Sequence, residues 1–213
     1  MDELIIYGAG GHAKIVIGII HKCRKYRIAA LIDDDAGRKG ERLLGEEVIG
    51  AFADLPRLLS RTRHLIIAVG DNGARHRLWE RLRGLSPSYA EAVHPSATLG
   101  EQVTIGEGTV VMAGAIINCC TRIGNHSIVN TRSSIDHDCS IGDFVHIAPG
   151  VTLCGSVHVG KLSLVGAGAT VLPGVTVGHE AVVGAGAIVI RDVLDGECVV
   201  GVPAKPLNRR KRF

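Results

Sequence analysis

An aliphatic residue recurs at every sixth position of this chain, sixteen times without a break. The residue two positions before each of them is small or β-branched, from Ala97 and Val103 to Ala181 and Ala187. A chain that obeys both rules at once is predicted to wind into a parallel β-helix. The spine residues are Leu99, Ile105, Val111, Ile117, Ile123, Val129, Ile135, Ile141, Ile147, Leu153, Val159, Val165, Val171, Val177, Val183 and Val189.

A second period of eighteen residues lies on top of the first, which indicates a triangular prism with three hexads in each coil. Coils should stack at the spacing of neighbouring strands, about 4.8 Å. The glycine in the recurring dipeptide predicts a corner with backbone conformations that other residues resist. The dipeptides are Ile105-Gly106, Ile123-Gly124, Ile141-Gly142, Val159-Gly160 and Val177-Gly178.

Composition narrows the class of protein. Hydrophobic residues make up 46% and aromatic residues only 3%, which suits a narrow interior of Val and Ile. The six cysteines form no CxxC pair, and neither a signal peptide nor a long apolar span is evident. We therefore expect a reduced cytoplasmic protein that does not span a membrane. The net charge of +3 is too small to indicate nucleic-acid binding, and we interpret the basic tail Asn208–Phe213 as solvated.

The first ninety residues follow a different pattern. The apolar run Leu4–Tyr7 ends in a glycine-rich turn, Gly8–His12, and a helical stretch follows. Two more apolar runs end near Ile32 and Val69, the second of them before a charged helix. This alternation predicts a half-Rossmann βαβαβα domain over residues 1–90 and an all-β domain over residues 91–213.

Glycines between a strand and a helix allow a phosphate to approach the backbone, and the helix start offers N–H groups to an anion. His12 lies where its side chain could reach such a phosphate, and Asp33 is placed to contact a ribose. The segment is too short for a dinucleotide site, so a mononucleotide, such as that of an activated sugar, fits better. The alternative is that the glycines only make a tight turn.

The period of eighteen also places polar residues of the prism on one another. Cys119, His137, Gly155 and Pro173 share one phase and should form a column. A neutral imidazole is well suited as a general base, so His137 is the candidate. Asp136 and Asp138 flank it, yet neighbours in a strand point to opposite faces. Either the corner turns Asp138 toward His137 or another group orients the ring.

Further polar residues interrupt the repeat near the same coils. Asn130 follows a spine residue and His146 precedes one. A surface role for His137 and a thiol nucleophile at Cys119 are the competing interpretations of this region.

These residues resemble the hexapeptide-repeat acyltransferases that modify activated sugars, over nearly the whole chain. That group includes sialic acid O-acetyltransferases, UDP-4-amino-sugar N-acetyltransferases and GDP-perosamine N-acetyltransferases. Two departures are Asp138, where some relatives carry Glu, and Val202, which replaces a common Asn. The matching segments are Tyr7–His12, Ile32–Asp34, His94–Ala97, Asn130–Cys139, Gly142–His146 and Gly201–Lys205.

The resemblance implies a left-handed β-helix and a homotrimer with active sites between neighbouring β-helices. It implies acetyl-CoA as donor, His137 as general base, Asp138 as the acid that raises its basicity, and Asn130 near the acceptor sugar. The acetyl end of acetyl-CoA would meet His146 and the Gly155 amide, and its pantetheine arm would follow Ala167 and Ala185. The residues that would hold the nucleotide sugar are Gly10, Gly11, His12, Asp33, Asp34 and Gly70.

The sequence therefore predicts an acetyl-CoA-dependent N-acetyltransferase for a nucleotide-activated amino sugar, acting by direct transfer. The nearest alternative is O-acetylation of a sialic acid or related sugar. A zinc enzyme of carbonic anhydrase type is a further alternative, although the spacing of His137, His146 and His158 does not favour it and we predict no metal site. A non-catalytic sugar-nucleotide sensor is the last.

Overall fold

A computed structural model describes residues 1–207 and places them in two compact units. The first is Met1–Pro95, and the second begins at Ser96. This division lies five residues after the boundary predicted at residue 90. Within the first unit, the Cys23 thiol donates to the Val93 carbonyl at 2.8 Å. The basic tail lies outside the described residues.

The first unit is a six-stranded sheet with helices. Strands run in the order β3-β4-β2-β1-β5-β6, parallel except for the pair β3 and β4. The strands are β1 (Asp2–Tyr7), β2 (Tyr26–Ile32), β3 (Arg42–Leu43), β4 (Glu46–Gly50), β5 (His64–Ile67) and β6 (Ser88–Tyr89), with β7 (Ala92–Val93) after them. The helices are α1 (Gly11–Cys23), α2 (Leu55–Leu59) and α3 (Asn72–Leu82), with short 3₁₀ turns at Ala36–Arg38, Phe52–Asp54 and Arg83–Leu85.

The predicted fold class of this unit is confirmed, with one addition. A hairpin of β3 and β4 lies between β2 and α2, and the sequence pattern did not predict it. Its two-residue turn has positive φ at both Leu44 (49°) and Gly45 (93°), as tight hairpins require. Because β1, β2, β4 and β5 are parallel, the loops that follow them lie at one edge of the sheet.

The second unit is the predicted parallel β-helix. Each spine residue is the second member of a two-residue strand, and strands eighteen residues apart pair in register, as Ile117, Ile135 and Leu153 do. Fourteen of the sixteen spine residues are buried, and the two others, Leu99 and Ile105, lie in the first coil.

Three parallel sheets form the faces of the prism. The first face contains β8 (Thr98–Leu99), β11 (Ile116–Ile117), β14 (Ser134–Ile135), β17 (Thr152–Leu153), β20 (Thr170–Val171) and β23 (Ile188–Val189). The second contains β9 (Thr104–Ile105), β12 (Arg122–Ile123), β15 (Ser140–Ile141), β18 (His158–Val159) and β21 (Thr176–Val177). The third contains β10 (Val110–Val111), β13 (Ile128–Val129), β16 (His146–Ile147), β19 (Leu164–Val165), β22 (Val182–Val183), β24 (Cys198–Val200) and the antiparallel β25 (Lys205–Pro206).

The recurrent glycines follow the second face, and the reason predicted for them was wrong. Gly106, Gly124, Gly142, Gly160 and Gly178 do not have positive φ. A Cβ on any of them would lie 2.5 to 2.7 Å from atoms of the next coil, so close stacking excludes a side chain. Positive φ occurs two residues later, at every sixth position from Gln102 to Gly186, and most of these residues are not glycine.

Candidate active site

Two corners of the prism carry the predicted site residues of the second unit. The His137 corner follows the first face and comprises residues 118–120, 136–138, 154–156 and 172–174. The Asn130 corner follows the third face and comprises residues 112–114, 130–132, 148–150, 166–168 and 184–186. Register over eighteen residues stacks the members of each corner in columns.

At the His137 corner, the imidazole is hydrogen-bonded to its chain neighbour. His137 Nδ1 lies 2.8 Å from Asp138 Oδ2, so the ring donates from Nδ1 to the carboxylate. Asp138 has a φ of 59°, and this left-handed turn brings its side chain to the same side as the ring. The same turn recurs at each corner, so the repeat itself supplies the geometry that a flat strand would forbid.

Asp136 supports the same histidine from the other side. Its Oδ1 accepts from the His137 backbone N–H at 2.9 Å and from Asn118 Nδ2, one coil earlier, at 3.0 Å. These two hydrogen bonds hold the pKa of Asp136 below its usual value. The hydrogen bond with Asp138, followed by the negative charge of Asp136, raises the pKa of His137.

Gly155 lies directly beneath the imidazole. A Cβ at this position would be 2.7 Å from both Cε1 and Nε2 of His137, so only glycine leaves that edge of the ring in place. An open groove at this point is lined by residues that include His137, Gly155 and Pro173. Among residues 1–207 the Gly155 N–H has no hydrogen-bond acceptor, although its carbonyl accepts from Gly174.

At the Asn130 corner, two predicted residues contact each other. Asn130 Nδ2 lies 3.0 Å from His146 Nε2, and Asn130 Oδ1 accepts from the Thr131 N–H at 2.7 Å. Ala167 and Ala185 lie one and two coils beyond Pro149, and both are exposed. A Cβ at Gly168 or Gly186, the residues that follow them, would meet no atom within 4 Å, so this edge of the corner is open.

The first face separates these two corners on one chain. His137 and Gly155 follow strands of that face, whereas Asn130 follows the third face and His146 belongs to it. A single prism therefore does not bring His137 and His146 of the predicted site together. What it does bring together is His137 with Asp138, and Asn130 with His146.

In the first unit, the glycine turn leaves the start of α1 open. Gly10 is the N-cap residue and provides no side-chain hydrogen bond to the helix. A Cβ at Gly10 or Gly11 would meet no atom within 4 Å, so the space over this backbone is empty. Gly70, after β5, is close by, since a Cβ built on it would lie 3.7 Å from His12 Cβ. Gly10, Gly11, His12 and Gly70 thus lie at one edge.

Asp33 is hydrogen-bonded to the backbone of this turn. Its Oδ2 accepts from the Ala9 N–H at 2.6 Å and its Oδ1 from the Asp35 N–H at 2.9 Å. Arg38 Nη1 donates to the Ala9 carbonyl at 2.8 Å. The carboxylate expected to contact a ribose therefore also fixes the backbone that the glycines expose.

Asp34 is the centre of a second network. It accepts from the Tyr7 hydroxyl at 2.7 Å, the Phe52 N–H at 3.1 Å and Arg81 Nη1 at 2.8 Å. Burial raises the pKa of Asp34, but the hydrogen bonds from Arg81 and Tyr7 outweigh it and hold the pKa below its usual value. The carboxylate is thus ionised at neutral pH, and Arg81 also lies over the Phe52 ring, 4.2 Å from its centroid.

Comparison with known proteins adds to this geometry. Residues 3–82 match the family model of the PglD N-terminal domain. A GDP-perosamine N-acetyltransferase from Escherichia coli O157:H7 is 30% identical over 159 residues, which cover 71% of this chain and 70% of that protein. This chain belongs to the hexapeptide-repeat sugar acetyltransferases.

Two further members of the sugar acetyltransferase family are similar. A UDP-N-acetylbacillosamine N-acetyltransferase from Bacillus subtilis is 40% identical over 114 residues, 53% of this chain and 52% of that protein. A crystal structure of a perosamine N-acetyltransferase from Caulobacter crescentus, with one histidine replaced by asparagine and with CoA and GDP-perosamine bound, is 40% identical. It has a TM-score of 0.92 and covers 98% of both chains.

Sequence reasoning about this sugar acetyltransferase missed Arg75, which holds the loop after β5. Arg75 is 1% exposed and donates to the carbonyls of Val69 (2.9 Å) and Gly70 (3.0 Å) and to Asn72 Oδ1 (2.8 Å). Burial lowers the pKa of Arg75 to about 10. The sequence did not predict its burial, because an arginine in a polar helix is normally exposed.

Two further findings concern metal ligands and membrane-spanning helices. Within residues 1–207, no three His, Cys, Asp or Glu side chains are grouped as metal ligands. Over the same residues, none of the helices is both long and apolar enough to span a membrane.

Proposed function

We propose that this chain transfers the acetyl group of acetyl-CoA to the amino group of a nucleotide-activated amino sugar, with His137 as general base. The observation that carries the proposal is the His137 corner. An imidazole there is oriented by Asp138 through Nδ1, and its opposite edge lies over a glycine. Family membership and the CoA and GDP-perosamine bound in the similar structure support the choice of substrates.

The tautomer of His137 follows from its hydrogen bond. Because a carboxylate can only accept, the ring carries its proton on Nδ1 and presents a lone pair at Nε2. Nε2 takes a proton from the acceptor amine as the amine attacks the thioester carbonyl. Asp138 stabilises the imidazolium that results, and the CoA thiolate leaves as the tetrahedral intermediate collapses.

The backbone N–H of Gly155 is the candidate oxyanion donor. It lies beside the His137 edge and has no acceptor among the described residues. A positioned N–H that meets the developing negative charge lowers the barrier of acyl transfer. His146, Ala167 and Ala185 are the candidates for contacts with the acetyl end and the pantetheine arm of acetyl-CoA.

The nucleotide sugar is assigned to the first unit. The open backbone of Gly10 and Gly11 at the start of α1 suits the diphosphate, because unpaired N–H groups and the helix dipole both favour an anion. His12 and Gly70 lie beside it. Asp33 and Asp34 order the surrounding loops and retain acceptor positions for the nucleoside.

We also propose a homotrimer with active sites between neighbouring prisms. The argument is the separation of the two corners: His137 and Gly155 are on one, Ala167 and Ala185 are on the other, and His146 contacts Asn130 of that second corner. One acetyl-CoA can contact both sets when the Asn130 corner of one subunit faces the His137 corner of the next. The six cysteines, none of which forms a disulfide, support the reducing cytoplasm as its location.

The reaction is tested by CoA release from acetyl-CoA with GDP-, UDP-, dTDP- and CMP-linked amino sugars. We expect turnover with one 4-amino sugar nucleotide and none with its hydroxyl counterpart. Turnover of the hydroxyl compound alone would make the protein an O-acetyltransferase. Thermal stabilisation by a sugar nucleotide without any CoA release would indicate a sensor, and activity that depends on stoichiometric zinc would contradict the His137 mechanism.

The trimer is tested by mixing two impaired variants, assayed at acetyl-CoA concentrations well below KM. His137→Ala and His146→Ala damage different parts of the proposed shared site, so a mixed trimer contains sites in which both parts are intact. Random assembly from equal amounts restores such sites to about a quarter of the total. Refolded mixtures should exceed the mean activity of the two variants, and a mixture at that mean would exclude a shared site.

A further inference from the structure

The hydrogen bonds of Asn130 determine the protonation state of His146. The Thr131 N–H can only donate, so the Asn130 atom 2.7 Å from it is the amide oxygen. The other end of the amide is therefore the NH₂ group, which can only donate. It lies 3.0 Å from His146 Nε2, and that nitrogen must accept. The imidazole is then neutral and carries its proton on Nδ1.

The neighbours of His146 on the third face favour the same state. In register with it are Ile128 on one side and Leu164 on the other. Ile128 is 1% exposed and Leu164 is partly buried. Two apolar neighbours in a stacked column disfavour the imidazolium, because they cannot solvate its charge.

We propose that Asn130 is a positioning residue for His146: it holds the ring neutral with the proton on Nδ1, so that acetyl-CoA meets a hydrogen-bond donor at this corner. The proposal rests on the proposed function. It assigns Asn130 to the acetyl-CoA side, whereas the family resemblance places it near the acceptor sugar. Neither residue takes the reaction proton, which goes to His137.

The decisive variant is Asn130→Asp, which keeps the shape of the side chain. Its carboxylate can still accept from the Thr131 N–H, but it now also accepts from His146. At a pH high enough to keep the imidazole neutral, this moves the imidazole proton to Nε2 and removes the donor at Nδ1. We expect the KM for acetyl-CoA to rise about tenfold, the loss of one hydrogen bond. The KM for the nucleotide sugar should change by less than about twofold. Asn130→Ala, which allows either tautomer, should have a smaller effect than Asn130→Asp.

Asn125→Asp is the matched control. It makes the same substitution at the corner that follows the second face, where Asn125 Oδ1 accepts from the Glu107 N–H and an aspartate can do the same. Both KM values should remain at the wild-type level. A rise in the KM for the nucleotide sugar alone in Asn130→Asp would overturn the proposal, and so would an equal effect of the Ala and Asp variants.

A second measurement does not depend on activity. Nitrogen-15 spectra of histidine-labelled protein distinguish the two neutral tautomers, and His146→Gln identifies the signal. We expect the Nδ1–H pattern in the wild type and its loss in Asn130→Asp. An Nε2–H pattern in the wild type contradicts the proposal. If the wild type transfers no acetyl group, the proposed function fails while this spectrum still reports on the Asn130–His146 pair.

Discussion

The two units of this chain use side chains and backbone in opposite ways. In the α/β unit, Asp33 and Arg75 are hydrogen-bonded to backbone groups of the loops, and the space over the backbone of Gly10 and Gly11 is empty. In the β-helix the backbone is held by its own hydrogen-bond ladder. The His137 side chain extends from a corner, and the His146 side chain extends from the third face. Side chains thus shape a backbone site in one unit, and backbone positions side chains in the other.

The difference shows how the same residue type can have two roles. Asp33 accepts hydrogen bonds from the backbone on both carboxylate oxygens, so its main effect is on a loop. Asp138 accepts from an imidazole at an exposed corner, so its main effect is on the proton affinity of a base. Substitutions in the two units should therefore alter different kinetic constants.

The largest effect should come from removal of the His137 side chain. His137→Ala should lower kcat about 10²- to 10⁴-fold, the usual contribution of a general base, because no other group takes the amine proton. The KM for the nucleotide sugar should stay near its wild-type value, since the α/β unit is unchanged. Steady-state CoA release measures both. His158→Ala, at an exposed position of the second face, is the control. If His137→Ala retained the wild-type kcat, His137 would not be the general base.

Gly155→Ala tests whether the backbone of the prism positions His137. The added Cβ would lie 2.7 Å from Nε2, so either the imidazole or the coil must move. We expect a loss of about 1–3 kcal/mol in the free energy of unfolding, as for overpacking, and a large loss of kcat. Urea denaturation measures the first.

The His137→Ala background supplies the control for that substitution. Without the imidazole, the same Cβ has room, so Gly155→Ala should cost little stability there. An equal cost in both backgrounds would show that the strain arises elsewhere in the coil. The double-mutant cycle therefore isolates the contact between these two residues.

Arg75→Met tests whether a side chain positions the backbone in the α/β unit. It leaves the carbonyls of Val69 and Gly70 without their guanidinium donor, which should cost about 1–3 kcal/mol of stability. Because this loop lies beside His12, the KM for the nucleotide sugar should rise while the KM for acetyl-CoA stays constant. Arg77→Met, on the same helix but exposed, is the matched control. Equal increases in both KM values would indicate general loss of structure.

The sequence predicted the β-helix well because the fold is periodic. A hexad repeat without insertions determines the register, so counting residues is enough to place Gly155 one coil from His137. The contact of Asp138 with His137 is beyond such counting, because it depends on a positive φ at a non-glycine residue. That conformation comes from the corner as a whole and leaves no mark in residue type.

In the α/β unit the sequence predicted the elements better than the contacts. Apolar runs and glycines located β1, α1 and the loops at one sheet edge. The network of Asp34 with Tyr7 and Arg81 joins residues far apart in the chain, and no spacing rule connects them. The burial of Arg75 was hidden for the same reason. In a non-periodic fold, burial and side-chain contacts depend on residues far apart in the chain, so residue spacing does not predict them.

The smallest effect concerns the pH dependence of Asp138→Asn. It most directly tests the difference between an aspartate that holds a loop and one that tunes a base. A general base acts in its neutral form, so kcat/KM rises with pH as His137 loses its proton. The hydrogen bond with Asp138 raises the pKa of His137, and asparagine removes the negative charge that favours the imidazolium. The acid limb of the profile should therefore move to lower pH, with a lower plateau because the ring is less basic. Asp143→Asn, at the corner that follows the second face, should leave the acid limb in place. An unmoved limb in Asp138→Asn would mean that Asp138 supports the structure of the corner and does not tune the proton affinity of His137.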